Sequence, residues 1–275
     1  MRFLVVAHRR SETNIQLAAA GGGAVFGPRE ALLLFAPGDV ALARLGLRAT
    51  NDGIETGVDD LSRLDAGGVR VLNPPRALLA AHDKLLTARA LRLAGLPHPW
   101  SALLPPDRSA PSDLPFPVVV KPRFGSGGAD VTLCRDRDEL ERTVERLWSW
   151  SWFAKDGALV QELVQPQGHE LRLIVAGGRV VGAARRDALP GEWRTSSGRV
   201  VPAGAPPSAR RLAEEAAAAI AADLVGVDLL PDGKRHTILD LDAAIEVEPA
   251  YGPPSAVARA AVLALFDRAG PARAA

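Results

Sequence analysis

Apolar and polar positions along this chain switch repeatedly between strand-like and helix-like spacing. Phe3 to Ala7 is an apolar run of strand length. The following "SETNIQLAAAGGG" has helical spacing, with Ser11 or Thr13 as its cap and the glycines as its stop. "ALLLFAP" (31–37) and "VRVLNPP" (69–75) read as strands, and "DVALARLGL" (39–47) between them reads as a helix. Residues 1–75 therefore predict an N-terminal α/β lobe with a parallel sheet, closed by Pro74 and Pro75.

"HDKLLTARALRLA" (82–94) predicts a helix stopped by Gly95 and Pro97. A proline-rich linker follows, then a strand from Val118 to Lys121 and a glycine-rich turn, "PRFGSGGADV". "VTLCR" and the amphipathic "DELERTVERLWSW" complete a second lobe, 76–157. A third lobe, 158–275, opens with "ALVQELV". It continues with strands "ELRLIVAGG" and "RVVGAARR", the helix "SARRLAEEAAAAIAADL", and a hairpin over "VGVDLLPDGKRHTILDLD" with its turn at Asp-Gly. "SAVARAAVLALFDRA" forms the last helix.

One strand breaks the apolar pattern. In "TILDLD", Asp240 and Asp242 stand two residues apart and so share a face. Two carboxylates on a half-buried face repel each other and lose hydration. Asp228 on the partner strand, twelve residues earlier, converges on them across the hairpin. Three hard oxygen donors suit magnesium.

Bulk charge adds little: 33 basic and 32 acidic residues leave a net charge of +1, with no field for nucleic acid or an anionic membrane. The single cysteine, Cys134, excludes an internal disulfide and suits a cytoplasmic setting. "MRFLVVAHRR" is too short in its apolar part for a signal peptide, and no apolar run approaches the roughly 18 residues of a membrane helix. There is no G-x-x-x-x-G-K-S/T, dinucleotide glycine pattern, zinc spacing or nucleophile elbow.

What remains is chemistry for a polyphosphate. Lys121 ends a buried strand, and Gly125, Ser126, Gly127 and Gly128 follow. Glycines let backbone N–H groups approach phosphate oxygens, and the lysine adds a point charge. A hairpin turn beside a snorkelling lysine is the plainer alternative. Gln161 and Glu162 end an apolar strand whose backbone suits an adenine edge. "HRRSETN", at the carboxyl end of the first strand, offers Arg9, Arg10 and Asn14 to a ligand, or is simply a capped loop. "WSWSW" puts Trp148, Trp150 and Trp152 on one face if extended, and at a packed junction otherwise.

In order and spacing, these segments resemble the ATP-grasp fold and, within it, the RimK-like glutamate ligases. The resemblance runs from about 73 to 250, through "NPPRALLAAHDKLLTARALRLAGLPHPW", "FPVVVKPRFGSGGADV", "ALVQELVQPQGHELRLIVAGGRVVGAARR", "GEWRTSSGRV" and "GVDLLPDGKRHTILDLD". It implies an ATP-grasp core preceded by a parallel-sheet lobe. It implies that Lys84 and Lys121 contact ATP phosphates under the loop Gly125–Gly128. Glu162, Leu163 and Val164 would line the adenine pocket and Glu170 would hold the ribose. Arg172, Arg186 and Arg194 would face the transferred phosphate and substrate carboxylate. Asp228, Asp240 and Asp242 would hold two magnesium ions, for which manganese can substitute.

Two positions depart from the family pattern: Asp240-Leu241-Asp242 stands where Glu-x-Asn is common, and Ser196 stands where asparagine is usual. An alternative metal motif at Glu246 and Glu248 spoils the spacing from Asp228. The implied activity is ATP-dependent amide formation through an acylphosphate. Glutamate or another amino acid would be added to a small-molecule, peptide or carrier-protein carboxylate. Homo-oligomers are compatible with the resemblance. A degenerate nucleotide-binding domain and a carboxylate kinase are the alternatives.

Overall fold

The computed structural model describes residues 1–48, 53–106 and 110–269. Its first sheet is parallel, in the order β2-β1-β3-β4: β1 (Phe3–Val6), β2 (Val25–Phe26), β3 (Val40–Ala43) and β4 (Arg70–Leu72). Helix α1 (Glu12–Ala20) follows β1, capped by Ser11, whose hydroxyl accepts from the Asn14 amide, and stopped at Gly21.

Two elements of this lobe differ from the sequence expectation. Residues 31–37 lie mostly in helix α2 (Pro28–Leu34), not in a strand. Pro28 opens it, and the Glu30 carboxylate accepts from the Gly27 amide at 2.9 Å, which fixes a helix start. The apolar run that looked like a buried strand instead leaves Leu33 and Leu34 exposed. Residues 40–43, expected in a helix, form β3, paired with β1 from Phe3↔Val40 to Val6↔Ala43. Being buried on both faces, β3 shows no alternation. Helix α3 (Val58–Ala66) leads to β4.

The helix expected over 82–94 is two helices, α4 (Pro75–His82) and α5 (Lys84–Leu93). Asp83 divides them; its carboxylate caps α5 by accepting from the Leu85 amide at 3.0 Å. The proline-rich linker contains a further strand, β5 (Ser101–Leu104).

The second sheet, antiparallel, has the order β5-β8-β6-β7, with β6 (Val118–Pro122), β7 (Thr132–Cys134) and β8 (Ala158–Glu162). Strand β8 pairs with both β5 and β6, so it completes the central sheet. The boundary expected at 157/158 therefore cuts this sheet. Helices α6 (Arg137–Leu147) and α7 (Ser151–Asp156) cover one face, with Leu140, Trp152 and Phe153 buried against Val118 and Val120. Trp148 and Trp150 are exposed at the α6–α7 junction, so the three tryptophans do not form one face.

The third sheet has the order β11-β10-β9-β12-β13: β9 (His169–Ala176), β10 (Arg179–Asp187), β11 (Arg199–Pro202), β12 (Leu224–Asp232) and β13 (Arg235–Asp242). Helix α8 (Pro207–Ala219) packs its alanine face on one side. Helix α9 (Pro254–Ala269) packs on the other side and also against α1, so Phe3, Leu17, Ile174, Val257 and Leu265 share one core. Buried Asn73 pins the first sheet to the third. Its side-chain carbonyl accepts from the Asp223 amide at 2.7 Å and the Leu224 amide at 3.0 Å. Among the described residues no helix is long and apolar enough to cross a membrane.

Candidate active site

The second and third sheets line one cavity of about 600 Å³, which also reaches the carboxyl ends of β1 and β3. Every side chain assigned a role through the resemblance lies on its wall: the phosphate lysines, the glycine loop, the three arginines and the three aspartates among them. Arg9 and Asn14 also border it.

On the second sheet, Lys121 is buried at the end of β6 and donates to Gln161 Oε1 at 2.8 Å. Burial pulls its ammonium down to about 8; Asp240 opposes that fall and Lys84 adds to it. Lys84 donates to the Gly125 carbonyl at 2.6 Å and lies 3.4 Å from Asp240 Oδ2. Glu162 and Leu163 are held at the strand end, their amides donating to the carbonyls of Trp100 and Pro117 at 2.9 and 3.1 Å.

The glycine loop reaches across to the third sheet, where Arg194 Nη1 donates to the Gly128 carbonyl at 3.3 Å. Gly128 has φ 72°, and a β-carbon there would overlap the Ser196 side chain.

On the third sheet the charged side chains form cross-strand rows. Arg172 on β9 stands opposite Asp228 on β12, and Asp228 stands opposite Asp240 on β13. Arg172 Nε donates to Asp228 Oδ1 at 2.6 Å, and its Nη2 lies 3.6 Å from Asp242 Oδ2. Burial pushes the Asp228 carboxyl up to about 7; Arg172 opposes this, and Glu170 and Asp240 add to it. Burial also pushes Asp240 upward, but Lys84 and Lys121 outweigh it and hold that carboxyl below its usual range.

Glu170 pairs with Arg186 on the neighbouring strand at 2.9 Å, and its second oxygen accepts from the Thr195 hydroxyl at 2.5 Å. Glu170, expected at a ribose, lies on the cavity wall, is 2 % exposed and has both oxygens engaged. It orients Arg186 and the loop that carries Arg194.

Asn14, expected to face substrate, is buried as a clamp: its Oδ1 accepts from Arg44 Nε at 2.5 Å and its Nδ2 donates to the Arg9 carbonyl at 2.9 Å. Arg10, Glu248 and the three tryptophans lie off the cavity wall. Sequence reasoning missed Arg44, His82 and Thr195, which do lie on it. His82 donates Nε2–H to the Leu45 carbonyl at 2.8 Å, and burial lowers its pKa. No spacing signal marks these residues, because they come from separate strands and loops.

The aspartates were expected to hold metal as a trio. Among the described residues, no group of three or more His, Cys, Asp or Glu is set to bind an ion by itself. Asp228 and Asp242 are paired with Arg172, and Asp240 with Lys84. Carboxylate oxygens on facing strand positions are nevertheless the right donors for magnesium, provided further oxygens come from outside the chain. They fit an ion that arrives with nucleotide phosphates.

Solved structures built this way are ATP-grasp proteins. A RimK domain ATP-grasp protein from Sphaerobacter thermophilus matches with TM-score 0.68 at 22% identity, over 97% of this chain and 100% of its own. The ATP-grasp ligase PsnB, solved with minimal precursor, Mg and ADP, matches with TM-score 0.65 at 17% identity, over 96% of this chain and 98% of its own. The fold is therefore ATP-grasp. In sequence, the chain belongs to the RimK-like ATP-grasp family, whose domain matches residues 81–251. Tetrahydromethanopterin:alpha-L-glutamate ligase of Methanosarcina acetivorans is similar at 29% identity over 227 residues, 76% of this chain and 70% of that one.

Proposed function

We propose that this chain is an ATP-dependent ligase that joins a carboxylate to the amine of glutamate or another amino acid. The observation that carries the reading is the Lys84–Asp240 contact. It brings the phosphate-binding lysines against the row Arg172–Asp228–Asp240, across one cavity.

In this reading a substrate carboxylate oxygen attacks the γ-phosphorus of ATP. The bond to the β-phosphate oxygen breaks, giving an acylphosphate and ADP. The amine lone pair then attacks the acyl carbon. Collapse of the tetrahedral intermediate breaks the C–O bond to phosphate, and the amine proton leaves with the phosphate or solvent. The chain contributes position and charge, with no covalent nucleophile. Lys84 and Lys121 neutralise the phosphates. The Gly125–Gly128 loop closes over them and excludes water from the acylphosphate. Arg172 and Arg194 face the oxygens that gain charge, and Arg186 is held in place by Glu170. Asp228, Asp240 and Asp242 would hold magnesium, which supplies further neutralisation of phosphate charge.

A second reading, nucleotide binding without ligation, draws on one observation: Arg172 occupies two of the three aspartates. ADP release separates the two. It should require an amino acid and a carboxylate acceptor, and hydroxylamine added with the acceptor alone should trap a hydroxamate. Lys121→Ala should lose the activity and keep its fold. A variant as active as the parent would sink the assignment. ADP release without any amine would mark a carboxylate kinase instead.

A further inference from the structure

The cavity extends past the aspartates to the first sheet, and the chemistry changes there. The strand order β2-β1-β3-β4 reverses direction between β1 and β3, so the loops after these two strands part and leave a crevice at their carboxyl ends. Such switch points are where open parallel sheets bind ligands. Arg9 and Asn14 follow β1, and Arg44 and Gly46 follow β3; all four line the cavity.

Arg44 is the unusual member. It is 3 % exposed. Its Nε donates to Asn14 Oδ1 and its Nη2 to the Ile245 carbonyl, both at 2.5 Å. These bonds tie the first lobe to the segment after β13, which accounts for two of the three guanidinium nitrogens. Among the described residues, buried Nη1 has no hydrogen-bond partner. A buried guanidinium N–H pair left unfilled is costly, so a purely structural arginine would have it satisfied. Among the described residues the carboxylate paired with Arg44 is Glu246, and it does not fill the gap. Its Oε1 lies 3.7 Å from Nη2 and accepts instead from the Ser11 hydroxyl at 2.9 Å, and its side chain is 54% exposed.

We infer that Arg44 is the floor of a carboxylate subsite at the β1–β3 switch point, which Glu246 covers and a substrate carboxylate displaces. Guanidinium pairs with carboxylate in a planar, two-bond geometry, and a second N–H pair beside fixed Nη2 offers that fork. The carboxylate it takes is the one that is not phosphorylated, because the phosphate-binding lysines line the second-sheet side of the cavity and the crevice opens on the first sheet. The inference rests on the ligase reading and deepens it: one substrate must carry a spectator carboxylate, as an amino acid does and a simple amine does not.

The test is calorimetric titration of L-glutamate into the full chain, with and without magnesium and a non-hydrolysable ATP analogue. 4-Aminobutyrate and 2-aminobutyrate, each lacking one carboxylate, serve as comparison ligands. Wild type should lose roughly tenfold or more in affinity for one of the two analogues. Arg44→Met should bind glutamate at least tenfold more weakly and no longer distinguish it from that analogue. Glu246→Gln should bind glutamate more tightly, because a competing carboxylate is gone. A merely structural arginine predicts no such opposite pair of effects. The subsite is overturned if folded Arg44→Met binds glutamate like wild type. Should that variant not fold, it is overturned if wild type treats all three ligands alike or fails to bind them, or if Glu246→Gln weakens binding. Loss of ATP-analogue binding by wild type would overturn the ligase reading instead, and the nucleotide-free titrations would still report on Arg44.

Discussion

Asp228 and Asp240 face each other across the β12–β13 ladder because the register shifts by one residue beside them. Below the shift, Leu229 pairs with Ile238; above it, Asp228 pairs with Asp240, and Leu239 is left without a partner. In an unbroken ladder from Asp232↔Arg235, Asp228 would face Leu239 and the carboxylates would lie on opposite faces. The bulge therefore creates the acidic pair. Asp240→Asn keeps the shape and removes one charge. Magnesium should then enhance ATP affinity at least tenfold less than in wild type, measured by calorimetry with and without the ion. An undiminished magnesium effect would remove Asp240 from the metal site.

Gly128→Ala tests the loop proposed to cover the phosphates. Gly128 and Gly127 both have positive φ, 72° and 65°, but a β-carbon meets Ser196 only at Gly128. Each alanine adds about 1 kcal/mol of backbone strain. Only Gly128→Ala also blocks the approach of the loop to the Arg194–Ser196 segment. Stopped-flow nucleotide binding and ADP release should fall about tenfold for Gly128→Ala and only a few-fold for Gly127→Ala. Adding Ser196→Gly should recover part of the Gly128→Ala loss. Equal defects in the two single variants would count against the contact.

Legibility followed local chemistry. The Ser11 cap, the Asp-Gly hairpin and the buried β6 are written in adjacent residues, and the ATP-grasp order of motifs was readable over about 73 to 250. The exchange of helix and strand over residues 31–47 had a physical cause. Leu32–Leu34 put leucine on both the packed and the exposed side of α2 and so imitate a buried strand, whereas β3 is buried on both faces and shows no alternation. Strand β8 read as the start of the third lobe because only pairing, not composition, assigns it to β5 and β6. Residues that line the cavity were named individually, but their partners were not. That Glu170 is spent on Arg186 and Thr195, that Asn14 clamps Arg44, and that Leu239 is bulged are long-range facts with no local signature.

Arg186→Met and Glu170→Gln should differ sharply. Glu170 has a side chain only 3% exposed, and its two oxygens bond to Arg186 and Thr195. Removing the arginine strands a buried carboxylate, which costs about 3–5 kcal/mol. Glu170→Gln removes the charge, keeps an acceptor for Thr195 and leaves a part-exposed arginine that water can reach, so its loss should be about 1–2 kcal/mol. Urea denaturation of both variants measures the gap. A milder effect for Arg186→Met would mean that Glu170 is not held as a buried ion pair.

Lys121 links stability, pH and nucleotide. Its folded pKa, about 8, lies below the ordinary lysine value of 10.5, with burial as the main cause. Between those pH values the unfolded chain binds more protons, so stability from this group rises with pH. The burden is complete below pH 8 and lifts as pH approaches 10.5. Lys121→Met removes it while filling similar space, although it leaves Gln161 Oε1 without its 2.8 Å donor. At pH 7 the variant should therefore unfold roughly 2–4 °C above wild type, and the difference should shrink toward zero near pH 10. The same variant should bind ATP at least tenfold more weakly, because in the proposed reading this buried charge meets a nucleotide phosphate. Calorimetric unfolding at the two pH values, beside ATP titration at pH 7, reads both effects. A variant less stable at pH 7, or a difference that does not change with pH, would mean that Lys121 is not burdened by burial.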